Sequence, residues 1–223
     1  MSGREAVLGK VRRAVAARGG EATRRQEVAD RMAATRPNLI PGRGQLDLAG
    51  RTALFCAMAE HVHATVARLP SAEAVPEGVA DYLRLHNLPA EIRIGADPRL
   101  AALRWDSVPQ LEIRHGASDG RDMAAVSHAF GGVAESGTLV LVSGEDNPTT
   151  LNFLPDTHIV VIDAADIAGD YEAVLARIRA RYGAGEMPRT VNMVTGPSRS
   201  ADIEQTLILG AHGPRALHIL VVG

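Results

Sequence analysis

The residues best suited to chemistry in this chain lie in its second half. Glu135 stands in Ala134-Glu135-Ser136-Gly137-Thr138, flanked by small residues and followed by an apolar run. A carboxylate held in such a place loses hydration. Its pKa then rises toward the range of a general base, or it becomes a carboxylate nucleophile. The competing reading is structural: Glu135 caps or ion-pairs a turn whose glycines serve geometry. A second group is Gly196-Pro197-Ser198-Arg199-Ser200, read as opening a helix over 201–209. Helix N-termini present free N–H groups and a partial positive charge, so anions bind there. Gly196 allows close backbone approach, Ser198 and Ser200 carry donors, and Arg199 can clamp an anion through two N–H groups. Against this, Asp202 and Glu204 would lie in the first turn, where they offset the helix dipole and repel a phosphate. Ser200 would then be a plain N-cap, or Asp202 would accept a sugar hydroxyl or a metal. A third group, Glu145, Asp146 and Asn147 in the loop 143–150, offers oxygen ligands or a solvated turn, and Asn147 is taken as a ligand-binding candidate. His128 and His158 flank the region as possible acids or bases, each also readable as a satisfied polar residue. His61 and His63 would share a face of a strand over 62–66, but no carboxylate nearby in sequence completes a metal set, and no metal site is assigned.

These groups must be positioned by strands and helices. Apolar runs predict strands over 91–95, 111–113, 123–127, 138–142, 158–163, 191–194 and 217–222. Between them, Val79, Tyr82 and Leu83 follow Pro76 with helical spacing, and Asn87 is the expected left-handed stop. Tyr171, Val174, Leu175, Ile178 and Tyr182 mark another helix, with Asp170 as N-cap and Gly183 after its end. Alternation of this kind indicates an α/β fold with a largely parallel sheet and helices on both faces. In such sheets, ligands bind beyond the carboxyl ends of the strands. That rule predicts that 128–137, 143–150 and 196–200 share one edge, while Ala211-His212-Gly213-Pro214 lies at the opposite edge. Residues 1–45 read as an N-terminal helical arm and linker, and 46–223 as a single α/β domain.

Composition removes several classes of function. With 46% hydrophobic residues in 223, the chain can build a full core, and its formal net charge of −2 gives no basis for nucleic acid or anionic membrane as partner. Lys10 is the only lysine, so no Schiff-base lysine sits in the body. Cys56 is the only cysteine; one thiol holds neither a disulfide nor an iron–sulfur cluster, and no cofactor is assigned to the chain. No signal-like segment or membrane-length apolar run is present, which predicts a cytoplasmic protein. Gly-x-Gly-x-x-Gly, Walker A and Gly-x-Ser-x-Gly patterns are absent.

Ala134–Leu141, Leu154-Pro155 with His158–Val161, Gly196–Glu204 and Gly210–Pro214, in that order and spacing, resemble the lactate-utilisation protein C family. The likeness is specific over roughly the last hundred residues. Ser136 and Ser200 stand where the family is associated with threonine, and Ala211 where valine is expected. The resemblance implies a fold similar to the sugar-phosphate isomerase/CoA-transferase-like group. It implies a non-redox subunit in the oxidation of L-lactate to pyruvate, working with two iron–sulfur proteins. CoA-transferase-like enzymes use a glutamate nucleophile, so Glu135 also admits a stand-alone acyl-transfer or sugar-phosphate enzyme. A small-anion sensor built on 196–200 is the third alternative.

Overall fold

The computed structural model describes residues 3–16, 20–34, 37, 39–183, 185–200 and 208–223. The chain divides into two compact units, Met1–Leu39 and Ile40–Gly223. The first holds α1 (Gly3–Ala16) and α2 (Glu21–Ala33), neither of which buries a residue. Val7 and Val11 on α1 and Val28 and Met32 on α2 are exposed.

The second unit opens with α3 (Leu48–His61), where the Asp47 carboxylate accepts from Gly50 N at 2.8 Å. β1 (Thr65–Leu69) follows, displaced toward the C-terminus from the predicted strand. His61 therefore ends a helix and His63 occupies a turn with φ 70°, so the two histidines do not share a strand face. α4 (Val75–Leu85) ends before Asn87, which adopts φ 53° as its left-handed stop. β2 (Glu91–Ile94), a short α5 (Pro98–Ala101), β3 (Glu112–His115) and β4 (Ala124–His128) come next. β5 (Gly131–Val133) and β6 (Thr138–Val142) form a hairpin, then β7 (Thr157–Asp163) and β8 (Ile167–Ala168). α6 (Tyr171–Tyr182) is capped by Asp170, which accepts from Ala173 N at 2.9 Å, and closed by Gly183 at φ 103°. The described chain ends with β9 (Val191–Val194), β10 (Arg199–Ser200), β11 (Ile208–Leu209) and β12 (Ala216–Val222).

Six strands form a wholly parallel sheet in the order β1-β12-β7-β4-β2-β3. Its helices lie on both faces, so the chain is α/β as its alternation predicts. Val79 and Leu83 of α4 and Leu100 of α5 pack on one face with Val126, Ile159, Val161 and Leu220. Phe55 and Ala59 of α3 pack on the other with Val160, Ile162 and Ile219. That second face also carries a four-stranded sheet, β8-β5-β6-β9, which is mixed rather than parallel. Val174 and Ile178 of α6 cover its outer side with Val133 and Val140.

Close approach of the two sheets depends on two glycines. A Cβ on Gly132 would lie 2.8 Å from Ile162 Cδ1 and 3.0 Å from Phe55 Cε2. Gly137 has φ +65°, and a Cβ there would lie 2.3 Å from Ala59 N on α3. Gly137→Ala therefore combines a left-handed backbone with a clash against a helix main chain. It should lower stability by roughly 2–4 kcal/mol in urea denaturation. Gly116→Ala, at φ +95° with open space around it, should cost only about 1 kcal/mol by the same measurement.

Candidate functional site

Glu135 lies in the turn joining β5 to β6. Its residue is 6% exposed, and its N–H donates to Gly169 O at 3.2 Å. Its carboxylate has no hydrogen-bond or ion-pair partner among the described residues. Beside it, four hydroxyls interlock: Ser136 Oγ donates to Tyr171 Oη at 3.0 Å, and Thr138 Oγ1 meets Tyr171 Oη at 2.9 Å and Thr195 Oγ1 at 2.7 Å. The turn thus ties the β5–β6 hairpin to α6 and to the end of β9.

The three polar loops do not share one edge. β6 and β9 are antiparallel, so the loops that follow them leave the second sheet at opposite ends. The loop 143–150 packs beside the carboxyl end of β2, where Ala96 N donates to Glu145 O at 3.1 Å. Asn147 is buried there and its Nδ2 donates to Val142 O at 3.2 Å. Gly196–Ser200 lies instead at the end occupied by the Glu135 turn. Ala211–Pro214, predicted at the far edge from it, packs directly against it. Ser198 N donates to Pro214 O at 2.8 Å, and Ser198 Oγ accepts from His212 N at 3.2 Å. Arg199–Ser200 pairs with Ile208–Leu209 as an antiparallel ribbon, so the predicted helix does not extend to 208–209. Arg199 Nη2 donates to Val62 O at 3.3 Å, at the C-terminal cap of α3, where a cation complements the helix dipole. Asp202 and Glu204 fall outside the described residues.

A third place emerges only from the structure. At the carboxyl ends of β4, β7 and β12 lies a cavity of about 430 Å³, within the usual range for small-molecule sites. The connection leaving β2 returns to β3 on one side, and that leaving β4 leads to β7 on the other, so the crevice sits at a switch of winding direction. Leu100, Leu103, Val75, Val161 and Val222 line it, with Arg99, His128 and Asp163 at its polar end. Arg99 is held by Asp97 through two bonds, Nη2 to Oδ2 at 2.7 Å and Nε to Oδ1 at 3.1 Å. Burial opposes the Asp97 charge, but the hydrogen bonds and charge of Arg99 outweigh it and keep the carboxyl below its ordinary pKa. His128 Nδ1 meets Ala129 O at 3.0 Å, and Nε2 lies 3.5 Å from Asp163 Oδ2. Burial, then the Arg99 charge, lowers the His128 pKa. Arg99 and Asp163 carried no motif, yet each follows or ends a predicted strand. Applying the strand-end rule to every strand would have found them.

The LUD domain family model matches residues 52–222, which takes in both sheets. The chain belongs to the LUD domain family. It is 42% identical over 91 residues to a lactate utilization protein C of Geobacillus sp. strain WCH70, covering 40% of this chain and 38% of the relative. It is 41% identical over 91 residues to the protein of that name from Bacillus licheniformis, covering 40% and 38%. The matched stretch thus spans less than half the length of these relatives. A crystal structure of a DUF162 family protein from Deinococcus radiodurans matches 80% of this chain and 99% of its own, with TM-score 0.60 at 20% identity. At that identity the likeness establishes the fold alone.

This LUD domain also seals imidazoles in its core. His158 is fully buried, bonded through Nε2 to Ser127 Oγ at 3.0 Å, and Nδ1 has no partner. Burial pushes its pKa down to about 3. Burial, then the His86 charge, lowers His218 to about 4, with its ring stacked on Tyr82 at 4.1 Å. Both histidines stay neutral when folded and take up protons near pH 6.5 when unfolded. The unfolded state therefore binds more protons below that pH. Stability is full above about pH 6.5 and falls as the pH drops, until about 4 for His218 and about 3 for His158. The urea midpoint should fall between pH 7 and pH 5, and fall less in His158→Asn.

Proposed function

We propose that this chain is a non-redox subunit of an L-lactate utilisation system, acting in the oxidation of L-lactate to pyruvate beside two iron–sulfur proteins. The observation that carries the reading is the likeness of 41–42% identity to proteins named lactate utilization protein C. The sequence adds a chemical reason for the division of labour. Cys56 is the one thiol of the chain, half-buried on α3, and burial raises its pKa away from the thiolate. A cluster takes about four thiolate ligands, so electron carriage would fall to the partners. No helix among the described residues is long and apolar enough to cross a membrane, and the reading takes the protein to be cytoplasmic. Deleting the chromosomal copy should abolish growth on L-lactate and spare growth on pyruvate, and a tagged chain should co-purify with cysteine-rich proteins. Undiminished growth of the deletion strain on L-lactate overturns the reading.

One observation favours a second reading. Glu135 is a buried residue whose carboxylate has no partner among the described residues, beside the hydroxyls of Ser136, Thr138, Tyr171 and Thr195. A carboxylate not committed to a protein partner suits covalent acyl or CoA transfer, with the glutamate as nucleophile. Glu135→Gln keeps the shape of the side chain. If Glu135 is the nucleophile, the variant should fail to restore growth on L-lactate while its Tm stays within a few degrees of the parent. Growth restored in full returns Glu135 to a structural role.

A further inference from the structure

The cavity at the carboxyl ends of β4, β7 and β12 has a polar end where carboxylates stand beside cations already paired with other carboxylates. Arg99 spends Nε and Nη2 on Asp97, and its Nη1 points to Ala129 O at 3.5 Å. Arg104, the other cation of the lining, pairs with Asp106 at 3.1 Å. Asp163 remains, with a half-exposed carboxylate whose Oδ2 lies 3.5 Å from His128 Nε2. The His128 tautomer follows from geometry. Ala129 O can only accept, so Nδ1 carries a proton; burial and the Arg99 charge favour the neutral ring, whose Nε2 lone pair then faces Asp163. Glu73, before α4, adds a second carboxylate to the lining. A carboxylate and an imidazole lone pair 3.5 Å apart repel unless donors come between them. An anion would meet these acceptors beside cations whose charge is already offset by Asp97 and Asp106.

We propose that this cavity binds an uncharged small molecule that places two adjacent hydroxyls on Asp163 and His128 Nε2 and lays an apolar body along Leu100, Leu103, Val161 and Val222. One hydroxyl donates to the carboxylate and its neighbour to the imidazole. The walls supply the burial that holds a ring or chain. Nucleosides and aryl glycosides share this chemistry, an apolar ring joined to a vicinal diol, and the volume of about 430 Å³ admits molecules of their size. The inference does not depend on the lactate reading.

Calorimetry on the full chain with adenosine, phenyl β-glucoside, 2′,3′-dideoxyadenosine and L-lactate tests it. Adenosine or phenyl β-glucoside should bind, and which of them does separates the nucleoside source from the sugar source. If adenosine binds, loss of the diol in the dideoxy compound should weaken binding at least tenfold. Asp163→Ala should weaken the binding probe by a similar factor. Should that variant fold poorly, NMR titration of the His128 ring in the parent protein gives an independent result. A hydroxyl donating to Nε2 favours the neutral ring, so the diol should lower the His128 pKa, whereas a bound anion would raise it. Failure of both diol probes to bind at millimolar concentration would overturn the proposal. So would equal binding of adenosine and dideoxyadenosine, or L-lactate binding with a rise in the His128 pKa.

Discussion

Two neighbouring interior strands of the parallel sheet, β7 and β12, have no polar face to offer water. Ile159–Ile162 on β7 and Ile219–Val222 on β12 are buried on both sides of the sheet. Each such side chain contributes roughly 1.5–3 kcal/mol on burial, and a folded domain retains only about 5–15 kcal/mol in all. Neither face can be left open, so two covers are obligatory. Helices α4 and α5 supply one. Helix α3 and the second sheet supply the other, and that sheet can reach the first only because Gly132 leaves room for Ile162 and Phe55.

The second sheet decides where the polar loops go. It enters as the β5–β6 hairpin, which reverses the chain without a crossover, and β9 then adds antiparallel to β6. A loop after β6 and a loop after β9 must leave at opposite ends. The Glu135 turn precedes β6 and so joins the end where β9 finishes, which is why Thr138 meets Thr195 and why Gly196 stands against Val62 on α3. Ser198 then meets the Gly210–Pro214 turn for a simple reason: that turn feeds the amino end of β12.

Signals that act over a few residues were legible in the sequence. Asp170, Asn87 and Gly183 stand at the helix ends where their chemistry puts them, and the apolar runs of β6, β7, β9 and β12 mark strands within a residue or two. Strand direction was not legible, because parallel and antiparallel pairing use the same buried residues. β5 hid best. Gly131-Gly132-Val133 is too short to show a period of two, and its glycines read as loop although they serve close packing. With β5 hidden, the direction of β6 cannot be read from the alternation, and the strand-end rule places the three polar loops on one edge. The Arg99–Asp97 fork and the His128–Asp163 pair were illegible for another reason. The first is an i, i+2 pair off a helix cap, and the second joins residues far apart in sequence that only strand order brings together.

The end of β4 shows how the fold separates inert from available chemistry. Ser127 and His128 are neighbours on one strand and so face opposite sides of the sheet. Ser127 turns into the layer between the sheets and meets His158, whose free nitrogen is sealed from any ligand. His128 turns the other way, onto the face covered by α4 and α5, and borders the cavity that residues of both helices line. Burial lowers the pKa of both rings. Desolvation alone therefore cannot tell a working imidazole from a structural one. What distinguishes His128 is that its unprotonated nitrogen borders a space large enough for a molecule, with a carboxylate beside it. The Glu135 turn lies beyond the other face of the same sheet, against α3, so the parallel sheet stands between the two places and chemistry at one need not disturb the other.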